Sequence, residues 1–478
     1  MTFETVIGLE IHVELATASK IFCSCPTAFG QEPNTQCCPV CMGLPGALPV
    51  LNRSVVDYAL RACLATGCTI TPVTRFDRKN YFYPDLPKAY QISQLHQPIG
   101  REGRLLLPGT DRVIRIREIH MEEDAGKLMH DPWEDSTCID YNRCGVPLLE
   151  IVSQPDLRSA EEALAYMETL RGILLFLGVS DCRMQEGSLR ADVNISIRPS
   201  GTAELGVRTE MKNMNSFKAI GRAIAAESRR QAELIQAGRP VLQETRRWDE
   251  NKDASFAMRT KEDAQDYRYF PDPDLSAIVI DDNWVRSIRE ALPELPGSKK
   301  QRYQDDYDLT AYEAELLTTD PALTRLFEQT EALCGQPKET AAWIMGAFLQ
   351  TCKERGCQPD ELQMPPSSLA RIIGLVMDGS INRTVARQVF RQVLDEQADP
   401  DRIINEQGLR MVGDENALGQ IIRDILAAFP DSVSDYKAGK KKAIGFLIGQ
   451  VMRKSEGKAD PQAVGKLLRD ELDREVPE

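Results

Sequence analysis

The alternation of apolar and polar side chains is cleanest at the start of the chain. Over residues 6–15, Ile7, Leu9, Ile11, Val13 and Leu15 fall on one side and Gly8, Glu10, His12 and Glu14 on the other. A period of two predicts a strand buried on one face only. Residues 192–197 repeat it, with Val193, Ile195 and Ile197 opposite Asp192, Asn194 and Ser196, and segments 113–121, 148–152 and 206–212 also have strand composition. Between them the period shifts to that of a helix. Leu164, Met167, Leu170, Leu174 and Leu177 form one stripe, and Val56, Ala59, Leu60 and Cys63 another. Past Pro293-Glu294-Leu295-Pro296-Gly297-Ser298, a turn-rich boundary, strand patterns nearly vanish. Val385, Val389 and Val393, then Ile444, Leu447, Ile448 and Val451, keep helical spacing between breaks at 356–366, 398–400 and 429–432. The pattern predicts an α+β protein: a large mixed, sheet-based domain over 1–294, a helical domain over 295–400 and a small helical tail over 401–478.

The length of 478 residues suggests about three domains at roughly 150 residues each. Apolar residues at 42% and charged residues at 27% describe an ordinary globular chain and exclude a disordered one. A balance of 58 basic against 72 acidic residues, −14 overall, excludes a surface that is basic throughout but leaves room for a local basic patch. No apolar run reaches the roughly 18–20 residues that span a bilayer. Met1-Thr2-Phe3-Glu4 enters the first strand at once, without the basic and apolar regions of a signal peptide. A cytoplasmic protein with no membrane contact is expected. Its thirteen cysteines should be reduced, so a cysteine cluster reads as a metal site and not as a disulfide framework.

Such a cluster exists. Cys23 and Cys25, then Cys38 and Cys41, make two thiol pairs on loops rich in Pro and Gly, the arrangement that tetrahedral structural zinc takes. Cys37 leaves the third ligand open, and a set of unliganded thiols is the plain alternative. A second group is acidic. Glu10 and His12 share one face of the first strand, Glu122 and Glu123 follow the strand-like 113–121, and Glu150 interrupts the apolar run Leu148–Val152. A carboxylate in such a run needs a partner or a metal. Oxygen ligands from several strands with one imidazole suit Mg²⁺ or Mn²⁺ beside a phosphate, against a solvated sheet face with ion pairs. Residues 77–94 interleave aromatics with Arg78, Lys79 and Lys88 and read as a polar pocket lining or as a surface loop. From Tyr436 to Arg469 nine basic residues face two acidic ones, either a nucleic-acid patch or a solvated basic face. Walker A, protein-kinase and nucleophile-elbow motifs are missing, so any ATP site must be of a less common, sheet-based kind.

Seven ordered motifs turn these alternatives into a resemblance. They are Val6-Ile-Gly-Leu-Glu-Ile-His-Val-Glu-Leu15, Cys38-Pro-Val-Cys41 with Gly43-Leu-Pro-Gly46, Asp77-Arg-Lys-Asn-Tyr-Phe-Tyr-Pro84, His120-Met-Glu-Glu-Asp-Ala-Gly-Lys127, Gly187-Ser-Leu-Arg190, Tyr267-Arg-Tyr-Phe-Pro-Asp-Pro-Asp274 and Lys442-Ala-Ile-Gly-Phe-Leu-Ile-Gly-Gln-Val-Met452. Together they resemble, along nearly the whole chain, the B subunits of bacterial aspartyl/glutamyl-tRNA(Asn/Gln) amidotransferases, the GatB family.

The resemblance implies a cradle domain built on a sheet, then a helical domain and a tRNA-contacting tail. It implies a glutamine-hydrolysing carbon–nitrogen ligase that is a heterotrimer of an amidase, this chain and one further small protein (GatA, GatB and GatC). The GatB chain would bind Glu-tRNA(Gln) and/or Asp-tRNA(Asn), phosphorylate the esterified side-chain carboxylate with ATP and let ammonia displace the phosphate. An aminoacyl-tRNA synthetase is a further partner it admits. Carried over by motif, Glu10, His12, Glu122, Glu123 and Glu150 are expected around Mg²⁺ (or Mn²⁺), with Glu10, His12, Glu150 and Lys79 catalytic. Asp192, Asn194, Glu210, Lys212 and Arg190 are expected at the nucleotide. Cys23, Cys25, Cys38 and Cys41 are expected on zinc. Lys79, Tyr81, Tyr83 and Lys88 are expected along an ammonia route, and Lys440, Lys441 and Lys442 against tRNA. The competing reading is a non-catalytic tRNA-binding scaffold for the amidase.

Overall fold

The computed structural model describes residues 2–131, 135–260, 266–411, 415–440, 442–455, 459 and 461–474. Two compact units divide the chain, Met1–Pro296 and Gly297–Glu478. The architecture is α+β. Strands are confined to the first unit among the described residues, and the regular elements of the second are helices.

The first unit is organised by a nine-stranded sheet. Its strands are β1 (Phe3–Glu14), β2 (Thr69–Ile70), β3 (Gly100–Leu106), β4 (Val113–Glu123), β5 (Pro147–Ser153), β6 (Leu189–Pro199), β7 (Thr209–Lys212), β8 (Glu244–Asp249) and β9 (Ala254–Thr260). The spatial order is β9-β8-β7-β6-β1-β5-β4-β3-β2, antiparallel except between β7 and β8. The first strand to be made therefore lies at the centre. Two expected strands differ in extent. The strand at 113–121 runs on through Glu122 and Glu123, which pair with Leu148 and Pro147. The segment 206–212 pairs only from Thr209. Gly206 lies so close to β6 that a Cβ would collide with the carbonyl oxygen of Ile197.

One face of this sheet is closed by three helices, α1 (Arg53–Ala65), α2 (Ala160–Phe176) and α3 (Phe217–Gln236). Each starts where a side chain can cap it. Asn52 Oδ1 accepts from the Ser54 N–H (2.9 Å), Ser159 Oγ from the Glu162 N–H (3.2 Å) and Ser216 Oγ from the Ala219 N–H (3.1 Å), contacts worth about 1 kcal/mol each. Their apolar stripes meet Ile7, Leu9, Ile11 and Val13 in one core. The opposite face carries the polar partners of that alternation. A small three-stranded sheet, in the order Phe270–Pro271, Asp77–Asn80, Tyr90–Ser93, adjoins the end of β4.

In the second unit buried apolar residues form two clusters. One runs from Tyr303 to Leu409 and includes Val385, Val389 and Val393. The other runs from Leu418 to Leu472 and includes Leu447 and Val451.

Ile11 is fully buried at the centre of the sheet, so Ile11→Ala should cost about 2–5 kcal/mol in a urea titration of the first unit. Leu242→Ala, at a side chain that is 57% exposed, should cost less than about 0.5 kcal/mol.

Candidate functional site

The face of the sheet opposite the helices brings four polar side chains together. The register sets His12 of β1 against Glu150 of β5, and Glu150 against His120 of β4. Glu122, two residues beyond His120, falls on the same side. His12 Nε2 stands 3.4 Å from Glu150 Oε2 and 3.6 Å from Glu122 Oε1. His120 Nε2 lies 2.7 Å from Glu150 Oε2, and Ser93 Oγ donates to Glu122 Oε2 at 3.1 Å. One ligand atom from each of His12, Glu122 and Glu150 falls within 4.8 Å of the others. Neighbouring ligands of an octahedral ion with bonds near 2.1 Å stand about 3.0 Å apart. The three side chains therefore fit a magnesium-sized ion after small inward movements.

Electrostatics link the members of this row. Burial disfavours a charged His12, but the hydrogen bond and charge of Glu150, with Glu122 behind them, outweigh it and raise the imidazole to about 9. His120 is raised for the same balance of reasons. Burial works against an ionised Glu150 as well, yet the two imidazoles hold it well below the usual carboxylate range. Glu10 has no such partner. Burial, then the charge of Glu150, pushes its carboxyl up.

Glu10 belongs to a second group. The register places Glu10 opposite Asp192, one step along β1 from the His12 row and still within the field of Glu150. Ligand atoms of Glu10, Asp192 and Glu210 lie within 4.8 Å of one another. Asn194 Nδ2 donates to Glu10 Oε1 (2.9 Å), Lys212 bridges Asp192 and Glu210 (3.0 Å to the latter), and Thr245 Oγ1 donates to Glu210 Oε2 (2.7 Å). Arg190 lies opposite His12 on β6 and donates to Asp124 Oδ2 at 2.5 Å, with Arg143 Nε 3.5 Å from the same oxygen. The buried Nε of Arg190 has no hydrogen-bond partner. Beside them burial, reinforced by the charge of Asp124, pushes Glu14 up to about 8. Glu123 is not part of either group. Its carboxylate leaves the strand on the other side, where Lys88 and the N–H of Ile92 (2.9 Å) hold it.

The cysteines form a compact knuckle. The sulfurs of Cys23, Cys25, Cys38 and Cys41 lie within 4.8 Å of one another, with Cys38 and Cys41 3.9 Å apart. Tetrahedral zinc with Zn–S bonds near 2.3 Å sets its sulfurs about 3.8 Å apart. Cys37 stands outside the group, its sulfur 3.8 Å from Asn142 Oδ1. Between Cys23 and Val50 only Gln36 and Cys41 are buried. A loop with so little core of its own needs a staple, and four soft ligands fit one. The knuckle forms one wall of a cavity of about 220 Å³ whose other walls include Lys88, Glu123, Arg78 and Tyr90.

Comparison with known proteins decides the family. The chain matches a model described as the GatB/GatE catalytic domain over residues 5–286 and one described as the GatB domain over residues 325–472. The chain belongs to the GatB family. It is 56% identical over 474 residues to the B subunit of the aspartyl/glutamyl-tRNA(Asn/Gln) amidotransferase of Lachnoclostridium phytofermentans, covering 99% of each chain. The proteins of the same name from Agathobacter rectalis (54%, 98% of this chain and 99% of that one) and Caldicellulosiruptor saccharolyticus (52%, 99% and 100%) are similar along the same length.

In this GatB chain the residues expected along one ammonia route are divided. Lys88 lines the cavity beside the cysteines. Lys79 lies 5.7 Å from the centre of the Tyr81 ring and 5.0 Å from that of Tyr267, and Tyr83 is exposed. In the tail Lys440 reaches Asp435 (2.8 Å), Lys442 opens the helix Lys442–Lys454 on its exposed side, and Lys441 lies outside the described residues. No helix among the described residues is long and apolar enough to cross a membrane. His120 and Tyr269 were not among the site residues expected from sequence, whereas Asp124 belonged to the acidic run Glu122-Glu123-Asp124. His120-Met121-Glu122 carried a usable signal, because period two places His120 with Glu122. Tyr269 carried none, since its place near Glu122 and Glu150 depends on a strand pairing between distant segments, Phe270 with Arg78 and Pro271 with Asp77.

Glu14 supplies a pH test. Folded, its carboxyl holds its proton up to about 8, whereas unfolded it ionises near 4.5. The folded state binds the extra proton, so its stability falls as pH rises from 4.5 toward 8. Glu14→Gln cannot ionise and should gain on the wild type across that window, by on the order of a few kcal/mol at its upper end. Urea titrations at intervals across the window measure the difference, and a wild-type advantage that grows with pH would contradict it.

Proposed function

We propose that this chain works as the B subunit of an aspartyl/glutamyl-tRNA(Asn/Gln) amidotransferase, where it performs the step that activates the amino acid on the tRNA. The observation that carries the reading is the meeting of His12, Glu122 and Glu150 on the sheet face opposite the helices, in a chain that shares 56% identity with such a protein.

The chemistry asks for this kind of site. An ionised side-chain carboxylate resists attack by ammonia, because its negative charge repels the nucleophile and oxide is a poor leaving group. Transfer of the terminal phosphoryl group of ATP to that carboxylate gives a mixed anhydride, from which ammonia displaces phosphate. His12, Glu122 and Glu150 would hold the divalent ion, Mg²⁺ or Mn²⁺. When bound, it offsets the charge gathering on the transferring phosphoryl group. Lys212 and Arg190 supply fixed positive charge toward the phosphates, with Asn194 orienting Glu10 and the Asp192–Glu210 pair orienting Lys212. His120 keeps Glu150 ionised and in place.

Ammonia must arrive without water, which would destroy the anhydride. The cavity lined by Lys88 and Glu123 lies on the knuckle side of β4 and suits the inner end of a route from the amidase, GatA. Lys79 and Tyr81, among Tyr267 and Tyr269, would line its exit toward the carboxylates. The four cysteines would hold structural zinc. The domains run 1–294 (cradle), 295–400 (helical) and 401–478 (tail), with Lys440–Lys442 meeting the tRNA backbone and the small GatC protein completing a heterotrimer. Glu-tRNA(Gln) and Asp-tRNA(Asn) both offer the required carboxylate, and an aminoacyl-tRNA synthetase is the natural supplier of either.

Glu150→Gln in the assembled enzyme tests the reading. ATP-dependent amidation, supplied with ammonium chloride, should fall by at least about 100-fold. Glutamine hydrolysis by the amidase should persist, as should tRNA binding. Full amidation by the variant would support the non-catalytic scaffold instead.

A further inference from the structure

Lys20 has no exposed surface at all, an unusual place for an ammonium. Its backbone is locked into the cysteine knuckle. The Lys20 N–H donates to the carbonyl oxygen of Cys25 and the Ile21 N–H to that of Gly145, both at 2.9 Å. The side chain then passes Gly145, where an added Cβ would come within 3.5 Å of Lys20 Cδ and of Cys41 Cβ. At its end Nζ donates to the carbonyl oxygen of Gln36 at 2.7 Å and to the Cys41 sulfur at 3.7 Å. It forms no ion pair with a carboxylate among the described residues. A buried cation without a counter-charge is strongly disfavoured, so the anion that answers Lys20 must be the sulfur group.

Charge counting completes the argument. Four thiolates around a divalent ion leave two net negative charges in a partly buried loop. One lysine hydrogen-bonded to a ligand sulfur halves that excess and fixes the orientation of the sulfur. Cys41, the ligand it touches, is the only one of the four that is buried.

We propose that Lys20 is the resident counter-ion of the cysteine centre: the buried Lys20 ammonium and the four sulfurs form one unit, each stable only with the other. This rests on reading the four cysteines as a metal centre. Because Lys20 also lines the cavity with Lys88 and Glu123, the charge state of the centre is felt at that wall.

Cobalt(II) loaded into the full-length protein in place of the native ion tests it. The thiolate-to-cobalt charge-transfer bands report the hydrogen bond to sulfur, and the rate of metal release to a chelator reports the charge. Lys20→Met should move the bands to lower energy and speed release about tenfold or more. Lys20→Gln keeps a donor without the charge. It should leave the bands near the wild-type position and still release metal faster. Failure of Lys20→Met to take up cobalt, with Lys20→Gln still loading, also supports the proposal. Bands and release rates that match the wild type in both variants would overturn it while leaving the metal centre standing. A wild-type protein that takes up no cobalt at the cysteines would overturn the metal-centre reading and this inference together.

Discussion

A strand that buries one side against helices has no freedom over what its other side presents. That constraint shapes this protein. Ile7, Leu9, Ile11 and Val13 are held in the core by α1, α2 and α3, so Glu10, His12 and Glu14 must stand on the opposite face at fixed intervals. The same holds for Glu150 between Leu149 and Ile151, and for Asp192 and Asn194 beside Val193. A one-residue slip of a strand's register would carry its polar side chains into the hydrocarbon core, at a cost the fold could not bear. The positions of the polar groups are thus maintained by apolar contacts that they never touch. This is how a sheet holds a chemical site more firmly than a loop could.

Placing so many carboxylates together is costly, and the site offsets that cost locally. Most of its anionic groups have a cation of their own. Glu150 is answered by His12 and His120, Asp192 and Glu210 by Lys212, and Asp124 by Arg190 and Arg143. Glu10 and Glu14 form no ion pair of this kind, and both are pushed toward their neutral forms. Such a face carries its own compensating charges. Its cations are already oriented by carboxylates.

Much of this arrangement was legible in the sequence, and the boundary of legibility has a physical cause. Alternation identified β1 and β6, their faces and the polar residues on them. The Cys-x-Cys and Cys-x-x-Cys pairs identified the knuckle, and the loss of period two after Pro296 marked the helical unit. What the alternation of a single strand cannot show is which strand lies beside it, and in what register. That Glu10 also faces Asp192 comes only from the pairing of β1 with β6. Glu122 and Glu123 looked equivalent until β4 was seen to continue through both, which sends them to opposite sides. The choice between Cys37 and Cys38 was likewise a matter of direction, because the turn aims Cys37 at Asn142 and away from the other sulfurs.

The knuckle shows a different way of fixing geometry. From Cys23 to Val50 the chain buries almost nothing apolar, so packing cannot hold it in place. Yet it approaches Lys88 so closely that a Cβ at Gly43 would collide with Lys88 Cγ and stand 3.2 Å from Lys88 Cα, in a backbone conformation (φ +65°) that favours glycine. An approach this tight, made by a loop without a core, requires cross-links in place of hydrophobic burial. The hydrogen bonds of the buried Lys20, of Gln36 and of Asn142 provide them. The wall of the cavity is therefore set by a few strong, directional contacts, while the carboxylate face is set by many weak ones.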